Sequence, residues 1–438
     1  MNSPDTAAPA AKQPSILFAC ASNILDITSG AALSMRTLLG SLVASGFRAV
    51  ALQATVFDSA QGGEHVIKAG EDHKDKKFLR TVVFGVEHII VRTKATFRPE
   101  MTCGEQELFL QRFRAELRER RPDMIILWGG MLLEMTMMRE AREAGIPVVF
   151  YLVNGGYNHL ETFKYATVIV TDTEATAQLY KERLGLTCHP IGKFIDTSLI
   201  KAAERKPEFI TFINPSLEKG VNVFMPLAKL AQTELPEAKF LVVQSRGRWG
   251  NALKTLGYEA TDFPNVKVIG HQKDMRAVYG PTRALLLPSV WHESGARVIP
   301  EALLNGIPVL ASNSGGSAEL VGKAGRIFDL PEIVKDKRGE RAADDVVRPW
   351  LDEIRKILQD PAHYDQLCAA AQEESGKHDL KGNTRRFIAA VGPYVLASQN
   401  VKPTPAAVNG PSELAVALQK KKANEARRRH AGGKKRAK

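Results

Sequence analysis

The sequence predicts an α/β protein built from two successive doubly wound, Rossmann-like units facing each other across a cleft. Three observations carry that prediction. A chain of 438 residues is too long for one ordinary core. Its apolar runs are short, rich in β-branched residues and without alternation, as in strands covered on both faces of a parallel sheet. Amphipathic stretches of helical length separate these runs, and the pattern halts in a polar segment at 196–207 before starting again.

In the first unit, set at 15–200, SILFACAS (15–22) reads as a buried strand. AALSMRTLLGSLVASG (31–46) reads as a helix ending at Gly46, and RAVALQA (48–54) as the next strand. GEQELFLQRFRAELRERR (104–121) is helical, with Leu108, Phe109, Phe113 and Leu117 on one face. DMIILWG (123–129), IPVVFYL (146–152) and TVIVT (167–171) are strands, the last feeding a helix at 174–185. The loops of this unit, 58–82 among them, carry no readable recognition pattern. The second unit, set at 207–380, repeats the theme with strands at 208–213, 239–245, 266–270, 284–290 and 308–312. Helices at 344–359 and 383–397 complete the fold, the latter in a closing segment at 381–398. Residues 1–14 read as a disordered lead-in, and 399–438 as a linker and basic tail.

Composition narrows the function classes. With 44% hydrophobic and 25% charged residues, the chain is an ordinary globular one. No apolar stretch reaches the roughly 18 residues of a membrane span, and no basic region leads into an apolar block as in a secretory signal. Cys20, Cys103, Cys188 and Cys368 are scattered, which argues against zinc and disulfides and suits a reducing cytoplasm. The net charge of +12 is concentrated: residues 411–438 supply +8 of it. The folded body is therefore only mildly basic, which is not the composition of a nucleic-acid-binding domain. The expected location is the cytoplasm, with contact to an anionic surface such as the inner face of a membrane through the 411–438 tail as a further role.

In open parallel sheets, ligands sit at the carboxyl ends of strands, and three motifs occupy such places. NPSLEKGVNVF (214–224) follows the strand EFITFI and puts Lys219 and Gly220 at a helix start, where a cation and backbone amides suit a phosphate. HESGARVIPE (292–301) follows the strand ALLLPSV, with Glu293 on the loop and Glu301 in a short helix expected from about 297 to 305. Pro300 is tolerable only in that helix's first turn. Two carboxylates there accept from sugar hydroxyls, and the amides around Ala296 and Val298 would favour a diphosphate. NSGGS (313–317) follows the strand PVLAS as a tight turn. Each motif alone is an ordinary loop feature.

Their order is more specific. The succession KG, PSxxxE, seven residues, EALLNGIPVLAS and GGxxE resembles the retaining GT-B glycosyltransferases of family four. The resemblance covers most of 15–395 and is densest over 208–325. It implies a GT-B fold and transfer of a sugar from a nucleotide-diphosphate donor to an acceptor hydroxyl, with retention. The acceptor, whether glycan, lipid or small molecule, stays open. No cofactor is implied beyond the nucleotide-sugar co-substrate, and no metal. On this resemblance Glu301 binds the ribose hydroxyls, Glu293 lies at the donor sugar, and Lys219 neutralises the leaving diphosphate. Gly30 falls in a Gly-rich loop near donor and acceptor.

Departures from the pattern are informative. Where the family has an Arg before that lysine, this chain has Asn214; Arg246 and Arg297 are the candidates for the missing charge. Ala296 stands in place of a turn glycine. A His often follows the strand matching IPVVFYL, but Val153 and Asn154 are there and His159 comes late. These losses support an alternative, a catalytically silent GT-B scaffold or binding subunit. An oxidoreductase is disfavoured because no GxGxxG follows the first strand.

Overall fold

The computed structural model describes residues 13–399 except residue 74, with side chains to 395. Apart from residues 13, 14 and 399, the lead-in at 1–14 and the linker and tail at 399–438 lie outside the described residues.

The first unit is an eight-stranded sheet. Its strands are β1 Ser15–Ala19, β2 Arg48–Ala54, β3 Phe78–Val83, β4 Val86–Val91, β5 Met124–Leu127, β6 Val148–Leu152, β7 Val168–Thr171 and β8 Cys188–Pro190. They run in the order β3-β4-β2-β1-β5-β6-β7-β8, parallel throughout except for β3 against β4. Strands β1, β5 and β6 are buried along their whole length, which is why their sequences do not alternate. Helices α1 Gly30–Ala44, α2 Ala60–Gly70, α3 Cys103–Arg120, α4 Leu132–Glu143 and α5 Glu174–Leu184 make the crossovers. Thr102 and Glu105 start α3 with a reciprocal capping box. The segment 58–82, read as loop, contains α2 and most of β3. Phe84 and Gly85 turn β3 into β4, both with positive φ (52° and 74°).

The second unit is a six-stranded, wholly parallel sheet. Its strands are β9 Phe209–Ile213, β10 Phe240–Val243, β11 Val266–Ile269, β12 Thr282–Leu287, β13 Val309–Ser312 and β14 Gly325–Phe328, in the order β11-β10-β9-β12-β13-β14. Around it lie α6 Val221–Glu234, α7 Trp249–Leu256, α8 Arg276–Tyr279, α9 Val298–Leu303, α10 Ser317–Val321, α11 Glu332–Asp336, α12 Asp344–Gln359 and α13 Pro361–Ser375. Pro300 sits in the first turn of α9. The last helix, α14 Leu380–Gln399, returns to the first unit and packs on α1. There Ser41 and Thr384 share a hydroxyl bond of 2.6 Å, and Asn383 donates to Lys193 O.

Each sheet is covered on both faces by apolar side chains, one core on either side of it. The two units meet at the carboxyl ends of their strands. Ser294, beyond β12, donates to Val153 O beyond β6 at 2.6 Å, and Thr173, beyond β7, donates to Ser294 O at 2.7 Å. No helix among the described residues is long and apolar enough to cross a membrane.

Candidate active site

Loop geometry decides which side chains reach the space between the units. After β9 the chain turns through Ser216–Gly220 into α6. Gly220 has φ 80°, and a Cβ there would lie 1.7 Å from Pro288 O. Only glycine lets the two loops touch, and that contact brings Lys219 beside the β12 loop. Lys219 Nζ lies 2.6 Å from Glu293 Oε1, with Ser289 Oγ also 2.6 Å from that oxygen. Glu293 is 6% exposed. Burial works against its charge, but the Lys219 ammonium, the hydrogen bonds from Lys219 and Ser289, and the charge of Lys193 outweigh it. The carboxyl is held below its ordinary value.

Glu301, on α9, is 4% exposed and faces a different set of partners. Tyr279 OH donates to its Oε2 at 2.7 Å. Arg297 Nε lies 2.5 Å from Oε1, at an angle that makes the contact an ion pair rather than a hydrogen bond. The same guanidinium donates to Phe194 O of the first unit at 2.8 Å and touches Ser34 Oγ of α1 at 3.4 Å. Arg297 therefore ties the β12 loop to the other unit and does not meet Lys219. Ala296 is buried and Val298 half-buried where α9 begins. The preceding Gly295 is pressed on Asp172, where a Cβ would come within 2.5 Å of the Asp172 Cβ.

The remaining candidates divide. Gly30 is the first residue of α1, with open space where a side chain would be, at the end of the helix that also carries Ser34. Asn214 has φ 66° and its Oδ1 accepts from Gly247 N at 2.6 Å, so it shapes the β9 and β10 loops. Arg246, on the β10 loop, is half-exposed and reaches Asp58 of the first unit at 3.3 Å. Asn154 turns the chain after β6, accepting from Gly156 N at 2.8 Å. His159 is exposed at the start of a 3-10 turn, Leu160–Phe163, and is not brought to the others.

Two side chains at the cleft escape the sequence reading. Lys193, just past β8, is almost fully buried with its Nζ 2.6 Å from Asp172 Oδ2, and Asp172 Oδ1 accepts from Tyr151 OH. Its position at a strand's carboxyl end was the available signal. His292 precedes Glu293 and lies against Gly155 and Gly315, its Nε2 3.2 Å from Thr176 Oγ1. Burial, then the charge of Arg183, lower its pKa, so the ring is neutral near pH 7. An imidazole thus reaches the end of β6 from the opposite unit.

Taken together, the site holds three ion pairs, Lys219–Glu293, Arg297–Glu301 and Lys193–Asp172, between two sheets. Cations beside carboxylates can receive a ligand bearing both phosphates and hydroxyls. Known proteins resemble this chain in sequence and in fold. Residues 200–374 match the family described as glycosyl transferases group 1. A sulfoquinovosyl transferase of Arabidopsis thaliana is 26% identical over 169 residues, 38% of this chain and 30% of that protein. The chain thus spans about a third of that relative's length. A sucrose-phosphate synthase structure from Thermosynechococcus elongatus superposes with a TM-score of 0.66 at 15% identity, covering 88% of this chain and 100% of that one. The Anabaena HepE structure with UDP and glucose gives a TM-score of 0.60 at 16% identity, covering 86% and 99%.

Proposed function

We propose that this protein moves a sugar from a nucleoside diphosphate to an acceptor hydroxyl, with retention at the anomeric carbon; the match of residues 200–374 to the glycosyl transferases group 1 family and the GT-B fold of the described chain support the reading. The observation that carries the reading is the Lys219–Glu293 pair, set on the loops that follow β9 and β12.

The reaction's difficulty lies in charge: the diphosphate gains negative charge while the sugar becomes oxocarbenium-like. The arriving diphosphate takes over Lys219 from Glu293. Glu293, released, accepts from the donor sugar's hydroxyls. Glu301, held by Tyr279 and Arg297, accepts from the ribose. Arg246 supplies the second cation once it leaves Asp58, and the lysine and arginine together make a metal unnecessary. Chelation with EDTA then leaves turnover unchanged. The acceptor, a glycan, lipid or small molecule, enters from the first unit, and closure of the two units limits hydrolysis.

Thermal shift of the full chain against UDP-, GDP-, ADP- and TDP-sugars tests the reading, beginning with UDP-glucose because HepE structures hold it. One base is expected to stabilise the protein, and Glu301→Ala to lose that stabilisation. A flat panel would remove the reading. Asn214 in the place of a cation favours a second possibility, a silent subunit that binds donor without turnover. Donor binding with no nucleoside diphosphate released would identify it.

A further inference from the structure

A groove of about 590 Å³ runs between α1 and α14, on the first unit and apart from the Lys219–Glu293 site. Three cations line it: Arg36 from α1, and Lys381 and Arg385, which share one face of α14 at a spacing of four. No carboxylate is within ion-pair distance of any of the three among the described residues. Asp196 also lines the groove; its Oδ1 accepts from Ser198 N at 2.9 Å, and its charge acts on Arg36 from beyond ion-pair distance. Lys381 and Arg385 are exposed, and alone would be solvated surface charges.

Arg36 is different. It is partly buried, with its guanidinium 5.9 Å from the Phe84 ring centre. Burial, then repulsion from Arg297, lower its pKa and outweigh the opposing charge of Asp196, so a counter-anion in the groove would relieve a cost that Asp196 offsets only in part. The rest of the lining is mostly apolar, with Leu380, Ile388 and Phe84 forming the walls. Phe84 reaches the groove because Gly40 leaves room: a Cβ there would lie 3.1 Å from the Phe84 Cβ. Phe84 is 59% exposed at the tip of the β3–β4 hairpin, beside Val82 at 68%.

We propose that this groove binds a phosphate ester with an apolar organic part, its phosphate on Arg36, Lys381 and Arg385 and its apolar part along Phe84 and Ile388. Charge complementarity selects the occupant. The chain's own 411–438 segment, with a net charge of +8, is repelled by the three cations. A purely ionic ligand would leave the apolar walls wet. A small soluble phosphate ester and a phospholipid headgroup share this chemistry. The inference does not depend on the sugar-transfer reading.

Calorimetric titration of the full chain with phenyl phosphate tests it, beside Lys219→Ala to remove the cleft cation and Lys381→Ala/Arg385→Ala to remove the groove cations. Both groove residues are exposed, so this double variant is expected to fold normally. A soluble ligand predicts saturable binding that Lys219→Ala retains and the groove variant weakens by about tenfold or more per cation removed. A headgroup predicts weak response to phenyl phosphate, but co-sedimentation with phosphatidylcholine vesicles containing phosphatidic acid that the groove variant reduces by a similar factor. Binding of either probe that is indifferent to the groove variant, or that disappears in Lys219→Ala, would overturn the proposal. So would no binding of either probe.

Discussion

At the scale of single residues, the account turns on Gly220, Lys219 and Glu293. Gly220→Ala forces a left-handed backbone angle on a side chain that collides with Pro288 O. It is expected to cost more than about 1 kcal/mol and to lower the melting temperature. An unshifted melting curve would show that the two loops do not need the contact. Lys219→Ala is expected to raise the barrier by about 3–4 kcal/mol, a hundred- to thousandfold in rate. The ion pair also has a pH signature. A carboxyl held below its ordinary 4.5 adds stability that is complete above that value and is lost as pH falls through the lower, folded value. The stability deficit of Glu293→Gln against the natural protein should therefore shrink as pH drops below 4.5. A deficit that stays constant into acid would mean that the carboxylate gains nothing from Lys219.

Among the elements, α6 is the one that carries the Lys219 turn, and its packing is aromatic. Phe224 stacks on Phe212 of β9 at 4.6 Å and meets Phe240 and Trp249 edge-on. Phe224→Ala should cost about 3–5 kcal/mol, read from the denaturant midpoint, and donor binding should weaken with it. Strands such as β5, β6 and β10 were legible because burial along their whole length leaves an unbroken apolar run. The elements missed in 58–82 lack that signature. Helix α2 contains a Gly pair and few apolar residues, and β3 is an exposed edge strand whose burial never becomes complete. In the site, Lys219 and Glu293 were legible because each lies on the loop after a strand, and Glu301 because it follows Glu293 in a recognisable order on α9. Lys193 was not, because its partner Asp172 is distant in sequence on the neighbouring strand end, and His292 was not, because its neighbours Gly155 and Thr176 belong to the other unit. Arg297 was placed by sequence near the diphosphate. The structure turns it to Glu301 and Phe194 O, since its short helix points it across to the other sheet.

At the scale of the whole molecule, the two units are held together at their strand ends by polar bonds between loops. Glu319 of α10 reaches across to accept from Glu174 N and Ala175 N at the start of α5, where its charge also suits the helix dipole. Gly316 makes this approach possible, since a Cβ there would meet Thr173 within 2.6 Å. Ser294 with Thr173, Arg297 with Phe194 O and Arg246 with Asp58 add to the link. Each such bond contributes about 1–2 kcal/mol, so a Glu319→Ala/Ser294→Ala variant should open the cleft. Small-angle scattering is expected to give it a larger radius of gyration than the natural protein; identical profiles would place the closure elsewhere. Opening should also raise donor hydrolysis, because water then reaches the sugar. The proposed transfer requires the cleft to bind a nucleotide sugar and split it with Lys219 on the leaving group. The most direct measurement is single-turnover release of nucleoside diphosphate from the donor that stabilises the protein best, comparing the natural chain with Lys219→Ala. Release is expected to slow by about a hundred- to thousandfold in the variant while the donor still binds. Equal rates in the two proteins, or tight donor binding with no release from either, would contradict it.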